Sequence, residues 1–123
     1  MGSHKKSALE FLQLAATGNA RQAFAQHAAP GFRHHNPWFK GDAESLASAM
    51  DENAAKNPGK TLRVIHAIEE GDMVSVFSHV VHRPWGRGAS VVHIFRFEGD
   101  RVAELWDAGQ EVPEEAVNEN GMF

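Results

Sequence analysis

The 123-residue chain contains no cysteine. Disulfides, thiolate zinc sites and cysteine nucleophiles are therefore excluded. It has no block of lysine or arginine: 12 basic residues face 16 acidic ones, for a formal charge of -4. A nucleic-acid partner calls for a basic stripe, and none is present. No apolar run approaches the ~20 residues of a membrane span, so no membrane partner is expected. No signal peptide is recognisable, and a cytoplasmic location is expected. Nothing repeats internally. What is left is ordinary for one soluble domain: 42% hydrophobic and 23% charged residues. At this size, folding hides roughly two-thirds of the surface of the unfolded chain, enough for a real core. The opening "MGSH" resembles an expression scar. Residues 1–6 are expected to be a disordered start, with a single domain over 7–123.

The first half reads as helical. Leu9, Leu12 and Ala16 recur at helical spacing, and Thr17-Gly18-Asn19 stops the run. A second helix is expected from about Ala20 to His27, ended by "APG". "RHHNPWFKG" reads as a loop, because Pro37 pushes Asn36 out of helical geometry. Asp42 caps a third helix that ends at Asn57-Pro58-Gly59. After Lys60 the texture changes to four β-like runs rich in Val, Ile and Phe: "TLRVIHAIEE", "DMVSVFSHVVHR", "ASVVHIFRFE" and "RVAELWDAGQ". Gly71-Asp72 and Gly99-Asp100 are hairpin turns. Helices first and a meander second imply an α+β fold, with helices covering one face of a curved antiparallel sheet.

Strand register is testable from charge and apolarity. Around Gly99-Asp100, pairing that sums to 200 sets Arg96 against Glu104, Ile94 against Trp106 and Phe95 against Leu105. Each such pair is worth a few tenths of a kcal/mol or more. The alternative sum of 199 sets Phe95 against Glu104. The first register is better and requires an odd loop or a bulge. It places His93 opposite Asp107, with β-carbons about 5 Å apart, within reach of a shared hydrogen bond. A hairpin centred on Gly86 would add His79 beside His93. His79, His93 and Asp107 are thus expected in one row with Phe77, Val91, Phe95, Phe97 and Leu105 on the helix-covered face. Val74, Val76, Val80, Ile94 and Trp106 are expected on the other face. That face is apolar enough to suggest a homodimer packed through it.

Four stretches together, "RHHNPWFKG", "GDMVSVFSHV", "VVHIFRFEGDRVAELWDAGQEVPE" and "NENGMF", resemble the SnoaL-like branch of the nuclear-transport-factor-2-like superfamily. That branch includes polyketide cyclases and proteins named as predicted aldol-condensation enzymes. The resemblance runs from about Ser7 to Phe123 and is most specific in the last third. It implies a cone closed by a curved sheet, with the three N-terminal helices on the concave face and a pocket inside. It also implies catalytic roles for the positions matching the cyclases' histidine and aspartate, here His93 and Asp107, and a place near the pocket mouth for His35-Asn36-Pro37. The chain departs from many relatives in carrying Leu105 where they carry histidine. His93 stands where many non-cyclase relatives carry aspartate, which favours the cyclase pattern.

The chemistry implied is removal of a proton beside a carbonyl and delivery of a proton to the new alkoxide. A carboxylate in an apolar pocket suits the first step, and an imidazole can donate to the developing oxyanion. Asp107 is therefore expected as general base and acid, with His93 as its partner, on a small hydrophobic carbonyl compound. His79, His35, Trp38, Asn36, Phe77, Phe95 and Leu105 are expected to line the substrate site. The plainer alternatives are a strand-end carboxylate bonded to backbone for Asp107, and a satisfied core histidine for His93. No metal or organic cofactor is expected. A metal set of His79, His93 and Asp107 is disfavoured by the apolar face around it and by the family's metal-free chemistry. Double-bond isomerisation, epoxide opening, a non-catalytic binding pocket and a purely dimerising module are the rival readings.

Overall fold

A computed structural model describes residues 3–123. Three helices precede most of the sheet: α1 (Ser3–Ala16), α2 (Ala20–His27) and α3 (Ala43–Lys56). Five strands follow in the order β1 (Ala28–His34), β2 (Thr61–Glu70), β3 (Met73–Val81), β4 (Ala89–Glu98) and β5 (Arg101–Glu111), with β1 lying between α2 and α3 in the chain. The sheet order is β1-β5-β4-β3-β2. The α+β arrangement is as the sequence implies, with one addition. The stretch from Ala28 to His34, read as a helix end and the start of a loop, is an edge strand parallel to β5, so the sheet is mixed. Pro30 and Gly31 hide it: the ladder shifts between Ala28 and Arg33, and Gly31 takes φ +78° there. Proline and glycine are tolerated at such an irregular edge.

α1 begins at Ser3, inside the stretch expected to be a disordered start. His4 on it stacks on Phe97 at 4.3 Å between ring centroids. Asp42 caps α3 as expected, accepting from the Ser45 amide at 2.9 Å. The core lies between the helices and one sheet face, with Phe11, Phe95, Phe97, Val74, Val76 and Val102 fully or almost fully buried. Phe11 meets Phe95 edge-to-face at 5.7 Å. No helix among the described residues is long and apolar enough to cross a membrane.

Two bulges keep the apolar side chains on this face. In the β4–β5 hairpin, Arg96 faces Glu104 but Phe97 faces Val102, leaving Ala103 as the extra residue. In β2, the register shifts between Val64 and His66, so Val64 and Ala67 both pack on the core. Without such a shift, one of the two would turn to the opposite face.

The β3–β4 register corrects an expectation. Val76 faces His93, Val74 faces Phe95 and His79 faces Ser90, so the pairs sum to 169 and the hairpin is not centred on Gly86. The chain turns at Arg83 to Gly86 and closes against β3 at Gly88, where a β-carbon would lie 2.2 Å from the Val80 carbonyl. An odd change of register sends every side chain of a strand to the other face. Val74, Val76 and Val80 are accordingly buried in the core, and Phe77 and His79 lie on the outer face. There Phe77 stacks with His66, and Phe123 from the C-terminus packs over Phe77 and His79.

Candidate active site

The helix-covered face and the helices line a cavity of about 320 Å3 that opens to solvent, within the range of small-molecule sites. Leu12 and Ala15 from α1, Leu46, Ala49 and Met50 from α3, and Leu62, Val80 and Val91 from the sheet form its apolar wall. Its polar groups are Asn36, Asn53, Lys60, His82, His93 and Asp107.

His93 and Asp107 face one another across β4 and β5, as the hairpin register implies, and both line the cavity. They do not hydrogen-bond to each other. Asp107 is instead held by Asn36, whose Nδ2 donates to Oδ2 at 3.0 Å and to Oδ1 at 3.3 Å. His93 is 8% exposed, and its Nδ1 is buried with no partner. Burial drives its imidazolium pKa down to about 4; the negative charge of Asp107 opposes this and the positive charge of Lys60 adds to it. His93 is therefore a neutral imidazole at neutral pH, able to donate one hydrogen bond and accept another.

The loop that carries Asn36 is pinned on both sides of the sheet. On the inner side, the His34 ring accepts from the Asn36 backbone N–H at Nδ1, 3.1 Å, and meets the Lys40 carbonyl at Nε2, 2.6 Å. That pairing sets the tautomer, with the proton on Nε2. On the outer side, His35 stacks on Trp106 at 5.1 Å, and its Nε2 lies 2.6 Å from Glu104 Oε2. Glu104 also receives Arg33 and Arg96. Arg33, His35 and Arg96 together hold its carboxyl far below the ordinary range, at about 2. The backbone amide of His35 donates to the Leu105 carbonyl at 3.1 Å.

Of the residues expected at the site, His93, Asp107 and Asn36 converge. His35 braces the loop from the outer face and does not line the cavity. Trp38 is 84% exposed and borders a second pocket with Asn36 and Asp107. Phe95 and Leu105 are on the correct face but are buried in the core beside the cavity. Phe77 and His79 are on the wrong face: the His79 Nε2 lies 2.8 Å from the Arg87 carbonyl. The metal set of His79, His93 and Asp107 therefore does not assemble, since the sheet separates His79 from the other two. Sequence reasoning missed His34, Lys60, Asn53 and His82. Alternation was the available signal, because Lys60 and His82 share the parity of Leu62 and Val80 along their strands.

The SnoaL-like domain model matches residues 8–105. No curated protein matches the chain in sequence. Among solved structures, a proposed isomerase of the SnoaL-like family from Agrobacterium tumefaciens superposes with a TM-score of 0.72 at 15% identity, covering 89% of this chain and 99% of that one. A proposed polyketide cyclase from Acidithiobacillus ferrooxidans superposes with a TM-score of 0.69 at 16% identity, covering 87% of each chain. An NTF2-like protein of unknown function from Cytophaga hutchinsonii gives 0.70 at 17% identity, with 87% and 89% covered. At these identities the structures establish shared architecture. Together with the domain match over most of the chain, they make this protein a member of the SnoaL-like family with the NTF2-like fold.

Proposed function

We propose that the protein is a cofactor-independent acid/base enzyme acting on a small hydrophobic carbonyl compound by aldol-type cyclisation or a related proton transfer. The observation that carries this reading is the convergence of two groups on one apolar cavity: a carboxylate oriented by Asn36 and a neutral buried imidazole, with no hydrogen bond tying them together. Asp107 takes the proton from the carbon beside the carbonyl and becomes the neutral acid. His93 donates to the carbonyl oxygen as negative charge develops there, a contribution of a few kcal/mol when the donor is preorganised. The enolate carbon then attacks a second carbonyl, and Asp107 returns its proton to the new alkoxide. Isomerisation of a double bond uses the same two groups, with the proton returned to a different carbon. The outer face, with Phe77, Ile94 and Trp106 only partly buried, is the proposed homodimer contact.

The test is deuterium incorporation beside the carbonyl of propiophenone in heavy water, followed by NMR. Wild type is expected to exchange faster than buffer, and Asp107→Asn to lose roughly 10²–10⁴-fold of that rate. Enones and epoxides assayed alongside distinguish isomerisation and epoxide opening. Ligand binding without turnover on any of these compounds would replace the enzyme reading with a binding module.

A further inference from the structure

Lys60 precedes β2 and His82 follows β3. Thr61 faces Val81 and Leu62 faces Val80, so continuing that ladder by one step sets Lys60 opposite His82. Both take the side of the sheet occupied by Leu62 and Val80, and all four residues line the cavity that contains His93 and Asp107. The Lys60 Nζ donates to the Asn53 Oδ1 at 2.8 Å, a neutral acceptor. An ammonium has three N–H donors, and among the described residues no carboxylate pairs with this one. Lys56, by contrast, is exposed and paired with Glu52 at 2.8 Å.

A half-buried cation without a countercharge is destabilising unless something supplies that charge. Burial lowers the Lys60 pKa. Its charge in turn adds to the lowering of both His82 and His93, so its field reaches the catalytic end. No function described so far uses this cation.

We propose that the Lys60–His82 end of the cavity receives an anionic group, so that the ligand is an apolar keto acid: its carboxylate at Lys60 and its carbonyl at His93 and Asp107. The carbonyl half rests on the acid/base reading above; the anionic half stands without it. Val76 faces His93, and His82 is six residues further along the chain, just past the end of β3. At ~3.3 Å per residue that is about 20 Å of strand as an upper bound, shortened by the reach of the lysine side chain. A ligand bridging the two ends therefore separates carbonyl and carboxylate by no more than that distance. His82, exposed at this end, adds a second donor to the anion.

Calorimetric titration with 5-benzoylpentanoate and with its methyl ester tests the proposal. Wild type is expected to bind the acid about tenfold or more tighter than the ester, the scale of a well-placed charge pair. Lys60→Gln is expected to erase that preference while ester binding stays within about twofold, and Lys60→Arg to keep it. No preference in wild type, a preference that survives in Lys60→Gln, or no binding of either compound overturns the proposal. Deuterium exchange beside the ketone, read on the same samples, separates the two ends. Acid preference without exchange removes the catalytic reading and leaves the anion site; exchange without preference does the reverse.

Discussion

Asn36 and Asp107 are 71 positions apart in the chain, and the single Asn36 amide nitrogen reaches both carboxylate oxygens, at 3.0 and 3.3 Å. The contact joins the loop after β1 to the middle of β5. It fixes which way the carboxylate presents its oxygens to the cavity.

Replacing that amide by a second carboxylate is therefore diagnostic. In Asn36→Asp, two like charges share one site, and one of them is expected to hold its proton at least about one pKa unit higher. The exchange rate plotted against pH should have its rising limb displaced upward by that amount. Asn36→Ala should lower the rate and displace the limb by less than Asn36→Asp does, since it removes a donor without adding a charge. An unmoved limb in Asn36→Asp would mean that the carboxylates do not sense each other.

The buried His93 makes the fold sensitive to acid. Its pKa is about 4 when folded and 6.5 in the reference state. Between those values the unfolded chain binds more protons than the folded one, so stability rises with pH. The full contribution is present above about pH 6.5 and is lost as pH falls towards 4, amounting to roughly 3 kcal/mol at 1.36 kcal/mol per unit. Urea unfolding at pH 7 and pH 4.5 should show a fall in wild type that His93→Gln largely removes.

Glu104 acts in a lower window. Its carboxyl titrates at about 2 against an ordinary 4.5, so its contribution is present above 4.5 and lost as pH falls to 2. Glu104→Gln should lower the urea midpoint at pH 7 and leave a shallower decline below pH 4.5. It should also slow exchange through the loosened loop, by less than Asp107→Asn does. An exchange rate equal to wild type would mean that the loop holds Asn36 without this anchor.

Ala49 lines the cavity from α3. Ala49→Phe places a ring in space that is already empty, so the overpacking cost is expected to be ~1 kcal/mol, the mild end for enlarged side chains. Ligand binding should fall by an order of magnitude or more, about 1.4 kcal/mol per tenfold. Thermal melting and the 5-benzoylpentanoate titration together check both halves.

Sequence logic succeeded where pairing had decisive chemistry. In the last hairpin, Arg96 with Glu104 and two apolar pairs leave a single sensible register, and the bulge that register demands is present at Ala103. The preceding hairpin has no such arbiter. Its connection holds Pro84, Gly86 and Gly88, any of which can host a turn, and the odd error displaced Phe77 and His79 to the wrong face. β1 was concealed by Pro30-Gly31, and Lys60 by its position just outside a recognisable strand. His35 was expected to line the site, but the alternation of β1, continued past His34, turns it away from the cavity that Asn36 faces.

That alternation has a practical corollary. The loop after β1 grips its neighbour like a clasp over the edge of a page: His35 closes on Trp106 and Glu104 from one side, and Asn36 on Asp107 from the other. Two grips fix the segment, and the exposed tip between Pro37 and Lys40 supplies neither side-chain grip. A library that randomises Pro37, Trp38 and Phe39 while keeping both grips would remodel the entrance to the chamber and leave Asn36 seated on Asp107.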